Sequence, residues 1–378
     1  MKPEEIARIN ALARKAKTPE GLTPAEKEEQ GALRRRYIDS FKRSLVSQLD
    51  NTYVVEPNGE KRNLHATRTK EINAFMLDFK EPKITDKPWV DQCLSHAHSM
   101  NCEYTFGNIF VWRTAYVTRI CHYKDFLLIR YGRGADIAYS PPVGTGDFAD
   151  AVRVLQQDAA ENGVTLRLLG VTASYKELLE ADFPGKFNYT YSDDYNDYIY
   201  SVEKMANLSG KKYHGKRGHI TYFMKAYPDW QFEVLTPENV GECIALHTSW
   251  IDEKDQTEQK EEDAEFSLEF EAVLSAFDNY KALGFVGGLI RVGGKVIAYT
   301  MGEPHSKDCF VTHFEKAPAD MRGAFPIINQ VFTRQCLSGY TYVNREEDLG
   351  LEGLRKAKQS YHPEIFLEKC VATYVDEN

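Results

Sequence analysis

Asn344-Arg345-Glu346-Glu347-Asp348-Leu349-Gly350-Leu351-Glu352-Gly353-Leu354-Arg355-Lys356-Ala357-Lys358-Gln359-Ser360-Tyr361-His362-Pro363 crowds charge, glycine and tyrosine into twenty positions. It begins where a strand, Tyr340 to Asn344, ends, and it crosses a short helix, Glu352 to Ser360. Ordinary packing does not need that mixture. Arg345, Arg355, Lys356 and Lys358 suit phosphates, and Glu346, Glu347 and Asp348 suit an amine or a proton. A salt-bridged surface helix is the plainer alternative.

Upstream, the same grammar repeats. Phe285 to Val292 and Lys295 to Gly302 flank Gly293-Gly294, a hairpin signal. Cys309 to Glu315 reads as a strand and Phe325 to Leu337 as a helix, with Ile365 to Tyr374 as the last strand. A helix over Pro237 to Trp250 precedes an acidic stretch, Asp252 to Glu265, read as a solvated face and not a metal site. Further back, Val117 to Cys121 and Phe126 to Tyr131 read as paired strands, Asp147 to Asn162 as a helix and Thr165 to Val171 as a buried strand. Tyr189, Tyr191, Tyr198 and Tyr200 mark two more strands around Ser192-Asp193-Asp194. The fold class is therefore α/β (α+β), in two similar halves, residues 66–215 and 216–378.

Residues 1–65 differ. Ile6, Ile9, Leu12, Ala13 and Ala16 recur at helical spacing, and Leu33, Tyr37, Phe41, Leu45 and Leu49 follow at intervals of four. Between them Thr23-Pro24-Ala25-Glu26 combines an N-cap, a proline at the first helical position and a capping-box glutamate. This predicts a helical hairpin closed by the turn Glu56-Pro57-Asn58-Gly59, which buries little surface and should be marginal alone.

The 378 residues carry 47 Lys+Arg against 56 Asp+Glu, a net charge of -9. That balance excludes a protein coated in nucleic acid, but it is uneven. The hairpin carries a small positive excess, and Lys211, Lys212, Lys216 and Arg217 form the densest basic patch in an acidic body. Such a patch suits a phosphate-rich partner, tRNA or coenzyme A, and equally a solvated linker helix. No apolar run reaches the roughly 20 residues of a membrane helix, and Met1-Lys2-Pro3-Glu4-Glu5 does not begin a secretory signal. Seven scattered cysteines without a CxxC pair read as reduced thiols, with no metal site. The expectation is a cytoplasmic protein. His305 and His313 are read as structural histidines before bases.

Arg322-Gly323-Ala324 opens the helix after the Cys309 strand and resembles the start of the pyrophosphate loop of the GNAT acyltransferases, where backbone amides at a helix N-terminus hold coenzyme A. With Phe314-Glu315-Lys316-Ala317, the Asn344–Pro363 string resembles the tandem GNAT-fold family related to the C-terminal half of phosphatidylglycerol lysyltransferase. Asn101-Cys102-Glu103-Tyr104-Thr105-Phe106-Gly107-Asn108-Ile109-Phe110-Val111-Trp112-Arg113 is similar to that family's opening motif. Leu208-Ser209-Gly210-Lys211-Lys212-Tyr213-His214-Gly215-Lys216-Arg217-Gly218-His219-Ile220 is similar to its central one. The resemblance covers roughly residues 70 to 375. It implies two tandem GNAT-like domains and transfer of an acyl or aminoacyl group, from acyl-coenzyme A or aminoacyl-tRNA, to an amine or hydroxyl. Acceptors of the class are small molecules, peptides or lipid headgroups. Gly353-Leu354-Arg355-Lys356-Ala357-Lys358 is similar to the Fem signature, which implies Lys358 as the active-site lysine. Residues 1–65 resemble the YnzC-like bacterial proteins of unknown function, and suggest a protein partner for the hairpin.

On this reading Glu315 is the base or amine-positioner, and Tyr361 is a general acid. Arg322, Gly323 and Ala324 would hold pyrophosphate, while Lys358 and Arg345 would meet phosphate or the transition-state oxyanion. The competing reading is a non-catalytic binding module on a degenerate GNAT fold.

Overall fold

The computed structural model describes residues 77–254 and 263–375, two short strands before them, and residues 8, 15, 23 and 26. The chain forms two compact units, Met1–Met76 and Leu77–Asn378. In the first, β1 (Tyr53–Val55) pairs antiparallel with β2 (Lys61–Asn63), on either side of the predicted turn. The capping box is present: the Thr23 amide donates to Glu26 Oε2 at 2.9 Å, and the Glu26 amide donates to Thr23 Oγ1 at 3.3 Å. Glu26 also receives Lys15 Nζ at 2.6 Å. The rest of the predicted helical hairpin lies outside the described residues, as does most of the acidic stretch after Asp252.

The larger unit opens with α1 (Lys87–Leu94) and α2 (Phe106–Val111). Then come β3 (Arg119–Tyr123), β4 (Phe126–Tyr131), β5 (Ala138–Tyr139), β6 (Val143–Gly144), α3 (Phe148–Glu161), β7 (Arg167–Val171), α4 (Ala173–Asp182) and β8 (Phe187–Tyr191). Asp147 caps α3 by accepting the Asp150 amide, as its position before the apolar face demands. The second run is β9 (Asp197–Ser201), α5 (Val202–Asn207), α6 (His214–Ala226), β10 (Gln231–Val234), α7 (Val240–Lys254), α8 (Asp263–Asp278) and α9 (Tyr280–Leu283). It continues with β11 (Val286–Val292), β12 (Lys295–Pro304), β13 (Cys309–Lys316), α10 (Ala324–Cys336), β14 (Tyr342–Asn344), α11 (Glu352–Gln359), β15 (Ile365–Leu367) and β16 (Cys370–Tyr374).

Two mixed sheets result. One runs β3-β4-β5-β7-β16-β8, and the other β10-β11-β12-β13-β14-β9-β15. The two exchange strands. β9 follows β8 in the chain but joins the second sheet, and β16 returns from the second sheet to pair between β7 and β8 in the first. The tyrosine-rich pair β8 and β9 are therefore strands of different sheets. Ile365 to Tyr374 is correspondingly not one strand but two: Glu368-Lys369 carries the chain from one sheet to the other, and Lys369 is buried at the crossing.

The second sheet is covered on both faces, so its central strands are apolar at successive positions. Leu289, Tyr299, Met301 and Phe314 face the core shared with α7, α8 and the first sheet. Ile290, Ala298, Phe310 and Val343 pack on the other side under α6 and α10. Parallel pairing occurs once in each sheet. β5 meets β7 at Tyr139↔Leu168, and β13 meets β14 from Cys309↔Tyr342 to Val311↔Asn344. Beyond Val311 and Asn344 the second pair separates, and that opening positions the site.

Candidate active site at the β13–β14 opening

β13 stays paired with β12 as far as Lys316 but runs on past its last partner in β14, so the stretch that carries His313 and Glu315 is open on its β14 side. Opposite them the chain turns at Arg345-Glu346. Glu346 sits at φ 60°, a left-handed conformation unusual for a residue with a Cβ. The turn is held on three sides. Asn344 Oδ1 accepts the Glu346 amide at 2.7 Å, and Asn344 Nδ2 donates to Met100 O and Asp197 Oδ2, each at 2.8 Å. Lys358 Nζ donates to Arg345 O at 2.6 Å and to Glu347 O, which brackets the strained residue.

This turn presents two neighbouring side chains to the opening. Arg345 Nη2 donates to Glu315 Oε1 at 2.9 Å, and Asn329 Nδ2 from α10 donates to the same oxygen at 2.6 Å. Among the described residues Oε2 has no partner. Burial raises the Glu315 pKa above the ordinary carboxylate value, against the pull of Arg345, the Asn329 hydrogen bond, Lys358 and Lys216. Arg345 has its other amino group, Nη1, buried and unpartnered. Its guanidinium lies 5.2 Å from the centre of the Tyr361 ring and 5.7 Å from that of Tyr200.

Tyr361, after α11, is 5% exposed, and among the described residues its hydroxyl has no partner. Burial pushes its pKa up, so the phenol stays protonated and is a donor. Lys216 Nζ lies 3.8 Å from the centre of the same ring. Burial, joined by the Arg345 charge and opposed by Glu315, lowers the Lys216 pKa to about 8. Two cations, one carboxylate and one phenol thus meet at the opening.

His313 forms a second layer. Its Nδ1 lies 2.8 Å from Glu346 Oε1 and its Nε2 3.0 Å from Glu303 Oε1. Burial pulls its pKa down, but the two carboxylate hydrogen bonds outweigh that and lift it to about 9. The opening motif closes on this pair. Asn108 Nδ2 reaches Glu346 at 3.5 Å, and a Cβ on Gly107 would stand 2.3 Å from Glu303 Oε1, so only glycine fits there.

Behind it lies a buried ionic cluster. Lys369 Nζ sits 2.8 Å from Asp197, 3.3 Å from Glu103 and 3.7 Å from Glu347. Cys102 donates its amide to Asp197 at 2.8 Å, and its thiol lies 3.3 Å from the same carboxylate. Burial beside Asp197 raises the Cys102 pKa well above its ordinary value, which keeps the thiol protonated. Cys102, Asp197 and Glu347 offer ligand atoms within 4.8 Å of one another, and the Lys369 ammonium supplies the positive charge among them.

The structure brings Glu315, Arg345, Tyr361 and Lys216 to the opening itself. Lys358 stands behind it, with its ammonium on two backbone carbonyls, and it acts on the site through the turn it holds. Arg355 is bound to Asp348, with Nε at 2.8 Å, and to Asp194 at 2.6 Å, while Lys356 is an exposed partner of Glu352. Asp348 is buried and also accepts Tyr198 Oη at 2.6 Å. The other predicted residues lie elsewhere. Lys211 and Lys212 are exposed, and Arg217 Nη1 donates to the carbonyls of Leu208, at 2.5 Å, and Gly210, at 2.8 Å. Arg322 is exposed, with Nε 3.3 Å from His219 Nδ1. Gly323 caps α10 at φ 95°, packed so closely on α6 that a Cβ would be 2.4 Å from His219 O. The Ala324 amide is spent on Met321 O and residue 326 is proline, so this helix start offers fewer free amides than a diphosphate loop uses.

Residues 95–373 match the family described as phosphatidylglycerol lysyltransferase, C-terminal. The chain belongs to that family. Its fold is α/β, and the family is one of transferases. A conserved protein of unknown function from Bacteroides thetaiotaomicron is 37% identical, with a TM-score of 0.73, over 79% of this chain and 100% of that one. The C-terminal domain of a putative lysylphosphatidylglycerol synthetase from Agrobacterium fabrum gives a TM-score of 0.56 at 15% identity, over 77% of this chain and 92% of that one. Residues 4–61 match a family of bacterial proteins of unknown function. There the chain is 54% identical over 56 residues to a UPF0291 protein of Anoxybacillus flavithermus, which is 15% of this chain and 72% of that one. Among the described residues no helix is long and apolar enough to cross a membrane.

Proposed function

We propose that the β13–β14 opening transfers an acyl or aminoacyl group to an amine, with Glu315 as the base. The observation that carries this is the one-sided use of Glu315: both hydrogen bonds fall on Oε1, leaving Oε2 at the opening. Attack forms the new C–N bond, Oε2 takes the amine proton, and the C–S or C–O bond to the leaving group breaks. Glu315 then returns that proton to the leaving group. Arg345 keeps Glu315 oriented.

Of the two donors, the aminoacyl ester of a tRNA is the better supported. The start of α10 is short of free amides for the coenzyme's diphosphate, and Lys211 and Lys212 stand exposed beside α6 for a phosphate backbone. Purified protein is incubated with labelled acetyl-coenzyme A and, separately, with labelled aminoacyl-tRNA, each with a pool of amines. Transfer from the tRNA is expected to be the faster. Transfer from neither would overturn the reading and leave a binding module on a GNAT-like fold.

A further inference from the structure

Two buried hydrogen-bond donors at the opening lack acceptors among the described residues, and a third donor stands beside them. Arg345 Nη1 and Tyr361 Oη are buried with no partner, and the half-buried Lys216 ammonium lies over the Tyr361 ring. Buried donors in folded proteins are ordinarily given an acceptor by the protein, by water or by a ligand, and two of them side by side at an opening suit a ligand that brings the acceptors. Glu315 does not meet the need, since it takes Arg345 only through Nη2. On one side of the Glu315–Arg345 pair stands a free carboxylate oxygen, and on the other a free guanidinium amino group.

The geometry points to an oxyanion pocket formed by Lys216, Arg345 and Tyr361, which holds a carboxylate or phosphate carried by the amine that is acylated. This rests on the transfer reading above and narrows its acceptor to amines that bear a nearby oxyanion. The amine faces Glu315 Oε2, and the anion accepts from Arg345 Nη1, Lys216 Nζ and Tyr361 Oη. Three donors, two of them charged, match the acceptor capacity of such a group. Bringing an anion between the ammonium and the guanidinium also offsets their mutual repulsion. In the free protein burial and then the Arg345 charge lower the Lys216 pKa against the pull of Glu315, and a bound anion would oppose both.

Titration calorimetry of the full chain tests this with three matched amines: β-alanine, phosphoethanolamine and propylamine. At least one anionic amine is expected to bind about 10-fold or more tightly than propylamine. Tyr361→Phe keeps the ring and removes only the donor, and it should shrink that preference about five-fold or more. Preference for β-alanine assigns the pocket to a carboxylate, and preference for phosphoethanolamine assigns it to a phosphate. Equal affinity for all three, no binding of any, or a preference that Tyr361→Phe leaves unchanged would overturn the inference. Loss of transfer in Tyr361→Phe without any anionic preference would assign the donors to the reaction's own oxyanion, and would also overturn it. Because the binding does not depend on proton transfer, anionic preference without turnover would leave the pocket standing and remove the transfer reading instead.

Discussion

Lys369→Met is the sharpest test of how the two sheets are joined. Lys369 lies where the chain leaves β15 for β16, its side chain is 2% exposed, and Asp197, fully buried, is 2.8 Å away. Methionine fills the same volume but leaves Asp197, Glu103 and Glu347 facing one another without a cation. Breaking one partner of a buried pair costs about 3–5 kcal/mol, because an uncompensated charge remains. In a unit of about 300 residues, with an unfolding entropy of roughly 2 cal/mol/K per residue, 4 kcal/mol lowers the melting temperature by about 6 °C. All four tryptophans (89, 112, 230 and 250) belong to this unit, so urea unfolding followed by tryptophan emission reads it. The pH dependence separates charge from packing. In the native protein the Asp197 pKa is lowered, burial being outweighed by Lys369 and by its hydrogen bonds from Lys369, Asn344 and Cys102. Its contribution is thus present above the ordinary carboxylate value and lost as pH falls through the folded one. In the variant the crowded carboxylates hold protons more tightly than in the unfolded chain, so protonation stabilises the folded state. The deficit at about pH 7.5 should therefore shrink towards about pH 5. A deficit below about 1 kcal/mol, or one that ignores pH, would refute the reasoning.

Two further predictions concern the walls of the site. His313, bridging Glu303 and Glu346, should remain an imidazolium at neutral pH and titrate near 9 by side-chain NMR. Its contribution to stability is full below the unfolded histidine value, about 6.5, and is lost as pH rises through about 9. A neutral ring at about pH 7 would contradict the geometry. Gly323→Ala should cost about 1–3 kcal/mol in urea unfolding, since φ 95° disfavours a Cβ and the His219 carbonyl occupies its place. An undiminished midpoint would show that α6 is not seated on the start of α10.

The order of elements was legible along most of the larger unit because its signals are local. Asp147 before an apolar face and Gly293-Gly294 between two apolar runs each settle a cap or a turn with neighbours in sequence, as Thr23 three residues before Glu26 does in the smaller unit. Strand exchange was not, because the pairing of β16 between β7 and β8 depends on residues about 200 positions away. Ile365 to Tyr374 has an unbroken strand composition, and a buried lysine inside it is the one trace of the crossing. Two residues of the Asn344–Pro363 string, Arg345 and Tyr361, lie at the candidate opening. Composition alone did not separate Arg345, which reaches the opening, from Arg355, which Asp348 and Asp194 hold away from it. Lys216 was read within a basic run of four. Its helix turns it inward onto Tyr361 while Lys211 and Lys212 stay in solvent. Asp197, Glu303 and Lys369 gave no sequence signal, since a single acid or lysine in a strand is ordinarily a solvent-facing residue.

The most direct measurement is the single-turnover transfer rate of Glu315→Gln beside that of the native protein, with the better donor and saturating amine. Glutamine keeps the shape of the side chain and an oxygen for Asn329 and Arg345, but it cannot take up the amine proton. The rate should fall by about 100-fold or more, with the urea midpoint moved little. A variant that transfers at the native rate would remove Glu315 as the base.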